Sequence, residues 1–291
     1  LAVSVRELRL DGESYGQWQF DWRPQQQGAL LDNIRGFSRE LRFGPQQTGE
    51  PCRLQWQAGE QPVTAFRCQV TTDNAATALQ QWGYRQEVNS KHVTVNLDSH
   101  WPGGPGDFTL ADSHTRFQLD MGKGNFADLS GSGTDALKAL SVLNISSVLR
   151  RIQLDFSDLT NDGLAFDSVR GTGVIDQGRL TAEQPFVIKG AASQIRLAGM
   201  ADLLNESLDM TMTVSLPLAS NLPWVVALAA GLPAAAGVYI VSKFVEKQVD
   251  KISSVVYNVK GDFDEPTIRF RKLFDTGDDG EKSKGGQPAN D

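Results

Sequence analysis

Leu208-Asp209-Met210-Thr211-Met212-Thr213-Val214-Ser215-Leu216 is the stretch that decides the fold. Leu208, Met210, Met212, Val214 and Leu216 fall on one side, and Asp209, Thr211, Thr213 and Ser215 on the other. Apolar residues at every second position belong to a strand with one buried face; a helix would repeat them at three and four. The same period recurs outward in both directions. Trp18, Phe20 and Trp22 oppose Gln17, Gln19 and Asp21. Val93, Val95 and Leu97 share a side, as do Phe117 and Leu119, and Ile152, Leu154 and Phe156 alternate with Gln153 and Asp155. Turn residues separate these runs. Asp176-Gln177-Gly178-Arg179 reads as a hairpin turn, Gly28 to Phe43 as two strands turned near Arg35-Gly36, and Phe108-Thr109-Leu110 as the start of a strand.

Helical spacing is rare by comparison. Thr72 to Trp82 is one candidate, capped by Asp73 or Thr72 and ended by Gly83. Thr134 to Leu149 is the second, with Leu137, Leu140, Leu143 and Val148 on a wide apolar face. The expected fold is mainly β: a long curled antiparallel sheet forming an open groove, with apolar and amphipathic helices towards the C-terminus. So long a one-sided sheet must hide its apolar face by closing, by sandwiching, or by curling around a ligand.

The run from Met210 to Ser242 holds 33 residues without a charged side chain. Pro223 and Pro233 divide it, and Ala and Gly dilute its hydropathy. Three readings stay open: buried helices capping the β core, a hairpin touching a membrane, or a span, for which about 20 apolar residues suffice. The candidates for bilayer contact are Leu222, Trp224, Val225, Leu228, Leu232, Tyr239 and Ile240. An amphipathic segment follows, with Lys243, Glu246, Lys247, Asp250 and Lys251 at helical spacing. The helical stretches are therefore expected at about 134–149 and 222–252.

A net charge of -7 and a pI near 5.1 argue against a nucleic-acid partner, which needs a basic face. Cys52 and Cys68 flank two alternating runs that turn near Gly59-Glu60. A hairpin centred there sets Trp56 against Thr64, Leu54 against Phe66, and the two cysteines against each other. Closing such a loop as a disulfide stabilises by roughly 3 kcal/mol and implies an oxidising compartment; two half-buried thiols are the other reading. His92, His100 and His114 are scattered, so no metal site is expected. No cofactor is expected either. Gly131-Ser132-Gly133 lacks the Lys of a phosphate loop, and no nucleophile has a base near it in sequence, so the chain does not read as an enzyme. Residues 275–291 hold no large apolar side chain and should be disordered. With Leu1 already inside a strand-like run and no signal peptide before it, the chain is expected to be the C-terminal piece of something longer.

Gly131-Ser132-Gly133, then Arg150-Arg151-Ile152-Gln153-Leu154-Asp155-Phe156-Ser157-Asp158-Leu159, then Asp162-Gly163-Leu164-Ala165-Phe166-Asp167, form a recognisable series. It continues through Phe186-Val187-Ile188-Lys189-Gly190, Leu208 to Val214, and Tyr257-Asn258-Val259-Lys260-Gly261. This pattern, over about 124–272, resembles the C-terminal region of the AsmA-like proteins of Gram-negative bacteria, nearest to their YhdP type. Residues 1–123 resemble the repetitive β part that precedes it, which gives an expected division at 123/124. The resemblance implies a bridge-like lipid transfer protein, anchored in the inner membrane by an N-terminal helix absent here. Its apolar groove would carry phospholipid across the periplasm towards the outer membrane and so support the outer-membrane barrier. It also implies a periplasmic or outer-membrane protein partner. On this reading Leu154, Phe156, Leu208, Met210, Met212 and Val214 are the lipid-groove candidates. A non-catalytic docking sandwich is the alternative.

Overall fold

A computed structural model describes residues 1–45, 49–86, 88–126, 159–160, 163–191, 193–215, 252–263 and 266–275. In chain order its elements are β1 (Ala2–Val5), β2 (Arg9–Leu10), β3 (Glu13–Ser14), β4 (Gln17–Gln25), β5 (Gly28–Ser38), β6 (Leu41–Phe43), β7 (Cys52–Gln57) and β8 (Val63–Thr72). Helix α1 (Ala75–Gln81) is followed by β9 (Val88–Ser90), β10 (Val93–Pro102), β11 (His114–Met121), β12 (Gly124–Phe126), β13 (Leu159–Thr160) and β14 (Gly163–Phe166). The last six strands are β15 (Ser168–Asp176), β16 (Arg179–Lys189), β17 (Gln194–Asp202), β18 (Ser207–Ser215), β19 (Ile252–Asp262) and β20 (Thr267–Asp275).

The protein is mainly β and is built on one curled antiparallel sheet of 14 strands, ordered β1-β4-β5-β6-β8-β10-β11-β15-β16-β17-β18-β19-β20, with β7 joining β5 and β8. Sequence neighbours pair almost throughout, because short turns let each strand fold back on the last. The Asp176–Arg179 turn is as expected, with Gln177 and Gly178 both at positive φ (48° and 75°), the conformation of a two-residue hairpin. A second sheet of four strands has the order β13-β14-β12-β9.

The cysteine hairpin forms with the expected register: Leu54 pairs with Phe66, Trp56 with Thr64, and Cys52 is bonded to Cys68. Three local expectations are corrected. No turn occurs at Arg35-Gly36, since β5 runs on to Ser38 and reverses at Arg39-Glu40, both in the left-handed region (φ 46° and 66°). Gly36 stays in the strand because the Trp18 ring lies flat over it, where any Cβ would collide. Phe108 to Leu110 is loop; β10 instead continues to Pro102, and the Phe108 ring packs edge-on against Trp101 at 5.2 Å. Helix α1 is capped by Asn74, whose side chain accepts from Thr77 N at 3.1 Å. Asp73 is drawn away by Arg42, and Thr72 Oγ1 accepts from Asn74 N at 3.0 Å. The expected helices at 134–149 and 222–252 and the tail 275–291 lie almost wholly outside the described residues. Among the described residues no helix is long and apolar enough to cross a membrane.

Candidate functional site

Strand pairing sorts the large sheet into two chemically opposite faces. Directly paired residues share a face, so a row can be followed from strand to strand. One row runs Trp22, Leu31, Leu54, Phe66, Ser99, Thr115, Ile175, Leu180, Ala201, Leu208 and Gly261 without a charge. Its two hydroxyls, on Ser99 and Thr115, satisfy each other at 2.7 Å. A parallel row carries Phe186, Leu197, Met212, Tyr257 and Phe270. Two glycines on this face have a steric reason: a Cβ on Gly171 would strike the Phe186 ring, and one on Gly173 would come within 3.0 Å of Phe117.

The opposite face is a ladder of ion pairs. Arg53 Nε meets Asp32 Oδ1 at 3.1 Å, Arg67 Nη2 meets Asp98 Oδ2 at 2.7 Å, Arg170 Nε meets Asp120 Oδ2 at 2.9 Å and Lys260 Nζ meets Asp209 Oδ2 at 2.8 Å. Asp32 is buried, whereas the other three pairs are exposed and add little stability each; together they mark the face that meets water. The Arg53 guanidinium, hydrogen-bonded to Asp32, holds that carboxyl below its ordinary range even though burial pushes it up. A depression lined by Glu50, Arg67, Asp98 and Arg116 lies on this side. Its arginines already have carboxylate partners, Asp98 and Glu183.

Burial divides the apolar face along the sheet. From β1 to β11 most of its side chains are half-buried: Trp18, Phe20, Leu31, Phe43, Leu54, Phe66 and Val70 surround a small buried centre of Ile34, Cys52 and Cys68. Trp22 is 39% exposed. From β15 to β19 the same face is sealed, with Val169, Ile188, Ile195, Leu197, Val255, Tyr257 and Val259 in one continuous core. The four candidates on β18 lie there, Leu208 and Met210 at 9% and 7% exposure, Met212 and Val214 at 0% and 1%. Leu154 and Phe156 lie outside the described residues, as do all seven bilayer-contact candidates from Leu222 to Ile240. An aspartate at position 212 would therefore be an unpaired buried charge and would attack the fold itself. The half-exposed aromatics Phe43, Trp56 and Phe66 were not foreseen as part of this surface; strand register, which the sequence leaves implicit, is what aligns them. Register also brings His100 and His114 together, rings 4.9 Å apart, with His114 Nδ1 3.2 Å from Asp176. Among the described residues no group of three side chains is arranged to hold a metal ion.

The family described as YhdP protein matches residues 1–268. A relative from Escherichia coli (strain K12), named intermembrane phospholipid transporter YhdP, is 23% identical over 205 residues, which is 70% of this chain and 16% of the relative. The chain thus spans about a sixth of that protein's length. No solved structure matches. An uncharged face carried from strand to strand through a sheet this long, matched by the family along nearly its whole length, gives the identity: the chain belongs to the YhdP protein family.

Proposed function

We propose that the apolar face of the large sheet carries the acyl chains of phospholipid between the inner and outer membranes of a Gram-negative bacterium, headgroups remaining at the rim. The observation that supports this most directly is the uncharged row at its open end, where Trp22, Leu31, Leu54 and Phe66 line up across β4, β5, β7 and β8 and remain half-buried or exposed. Hydrocarbon needs no directional partner: each CH2 removed from water contributes about 0.8 kcal/mol, so a continuous greasy strip suffices as a binding surface. The role is non-catalytic and takes no cofactor. The protein works in the periplasm, with its inner-membrane anchor in a preceding segment, and contributes to the outer-membrane barrier. Leu222, Trp224, Val225, Leu228, Leu232, Tyr239 and Ile240 touch the bilayer, and a periplasmic or outer-membrane protein receives the distal end. The disulfide fits an oxidising compartment of this kind.

The division at 123/124 is retained as a functional one, the half-exposed wall lying before it. Leu208, Met210, Met212 and Val214 belong to the same face and meet lipid only if their cover opens. The sealed state of that part favours a second reading for it, a docking module rather than a conduit.

The test is lipid extraction from the purified protein followed by mass spectrometry, comparing the natural chain with Phe66→Asp. Phe66 is only half-buried, so the variant should fold, and bound phospholipid should drop by about tenfold or more, the equivalent of 1.4 kcal/mol. Phospholipid retained at the natural level, or absent from both proteins, would refute the conduit. Flotation on phospholipid vesicles with and without residues 222–242 tests the bilayer contact, and flotation unchanged by the deletion would exclude that stretch.

A further inference from the structure

Three strands of the large sheet turn a corner together. Val93 at the start of β10, Met121 at the end of β11 and Val169 near the start of β15 form one register row. At that end each strand connects within one or two residues to a strand of the four-stranded sheet: Ser90 of β9 to Val93, Met121 to Gly124 of β12, and Phe166 of β14 to Ser168. In the small sheet Gly124 faces Ser90 and Phe166, and Phe126 faces Val88 and Leu164. The smaller sheet is thus the same three-strand ribbon, bent over. Its inward side chains are fully packed: Val88 at 8%, Phe126 and Leu164 at 1%, and Phe166 at 2% exposure, with the two phenylalanine rings 4.8 Å apart. They belong to one core with Met121, Val169, Phe186, Ile188 and Ile195 of the large sheet. Gly124 makes the close approach possible, because a Cβ there would run into Asn89 O and the Phe166 ring.

The geometry points to this corner sheet as the end stop of the acyl path, an inference that rests on the lipid-bearing reading above. Hydrocarbon lies along the face from β4 to β11, is arrested where Phe126, Leu164 and Phe166 close on β15, and leaves the face there. Entering further would require prising apart a close-packed core. Upstream, Phe20 and Phe66 are half-buried, and among the described residues the core that holds the corner sheet does not include them.

Photo-crosslinking in the full-length protein in cells tests this. p-Benzoylphenylalanine replaces Phe66 upstream, and Phe186 or Phe270 downstream; the larger ring strains the packed core at Phe186, whereas Phe66 and Phe270 are only half-buried, and protease resistance of each variant checks that it folds. Crosslinked phospholipid is read by mass spectrometry. The expected result is strong labelling from position 66 and at least about tenfold less from 186 and 270, a ratio equivalent to 1.4 kcal/mol. Labelling of equal strength at all three positions would overturn the end stop while leaving the lipid wall standing. No labelling at any position, 66 included, would sink the lipid wall and the end stop with it.

Discussion

The two halves of one apolar face differ in what covers them. Around the disulfide the wall of β4 to β8 leaves Trp18, Phe20, Leu54 and Phe66 half-exposed, whereas from β15 to β19 the same face closes to 0% at Met212 and 1% at Val214, Ile195 and Val255. Strand chemistry does not cause the contrast, since both halves alternate with period two and both turn their charges to the opposite side. One described difference is the corner sheet: its Val88, Phe126, Leu164 and Phe166 share a single core with the sealed half and are absent from the buried centre around the disulfide. Half-buried aromatics cannot supply the packing of a closed core, so the exposed half relies on a covalent staple where the other relies on volume.

The sharpest way to break the comparison is to place the same charge in each half. Met212→Asp should cost about 3–5 kcal/mol, the penalty of an uncompensated buried charge, and should remove the cooperative unfolding transition in urea. Phe66→Asp should leave that transition within about 1.5 kcal/mol of the natural protein, as a substitution on a half-open surface does. Equal losses would mean that the two halves are packed alike.

Removing the staple should come next. Cys52→Ala with Cys68→Ala frees a loop of sequence separation 16 and should lower stability by about 3 kcal/mol in the chain-entropy model. Hydrogen exchange should speed up in β5, β7 and β8 and hold steady in β16 to β19. Uniform acceleration would show that the halves unfold as one.

A smaller effect concerns pH. Asp32, 5% exposed and held between Arg53 and Arg23, has its carboxyl lowered in the folded state. A depressed folded pKa contributes stability above the unfolded value, about 3.9, and loses it as pH falls through the folded one. Asp32→Asn should therefore destabilise at pH 7, and that effect should fade as pH falls through the lowered folded pKa. A difference from the natural protein that persists at low pH would assign the residue a packing role.

The smallest change should be favourable. The Tyr257 hydroxyl is buried in the sealed half with no hydrogen-bond partner among the described residues, and burial drives its pKa upward. Tyr257→Phe removes an unsatisfied group and should raise stability, or leave it unchanged, within about 1 kcal/mol. A clear loss would reveal a bond to that oxygen.

The strands were legible from residue spacing because a pleat repeats every two residues whatever the partner: Leu208 to Val214 reads correctly from the sequence alone. The cysteine register was legible too, since the Gly59-Glu60 turn fixes which residues meet. Hidden from the sequence was everything that depends on the corner sheet packing against the large one. Gly124, Phe126, Leu164 and Phe166 look like ordinary short-strand residues, and only the corner shows them closing over the wall. Gly36 read as a turn because glycine in sequence does not distinguish a bend from a floor beneath an indole ring. For the same reason Met212 reads as a groove residue, although the structure places it at 0% exposure.

The corner also orders the events of folding. β15 to β18 are hairpins between immediate neighbours, with turns that close quickly and little chain entropy to overcome. The small sheet must instead gather Val88, Phe126 and Leu164 from across the sequence, and it can do so only once β10, β11 and β15 stand side by side. The ribbon therefore zips first and bends last, and until it bends Val169, Phe186 and Ile188 lack the Phe126, Leu164 and Phe166 side chains of their shared core, a moment when another apolar chain could claim that place.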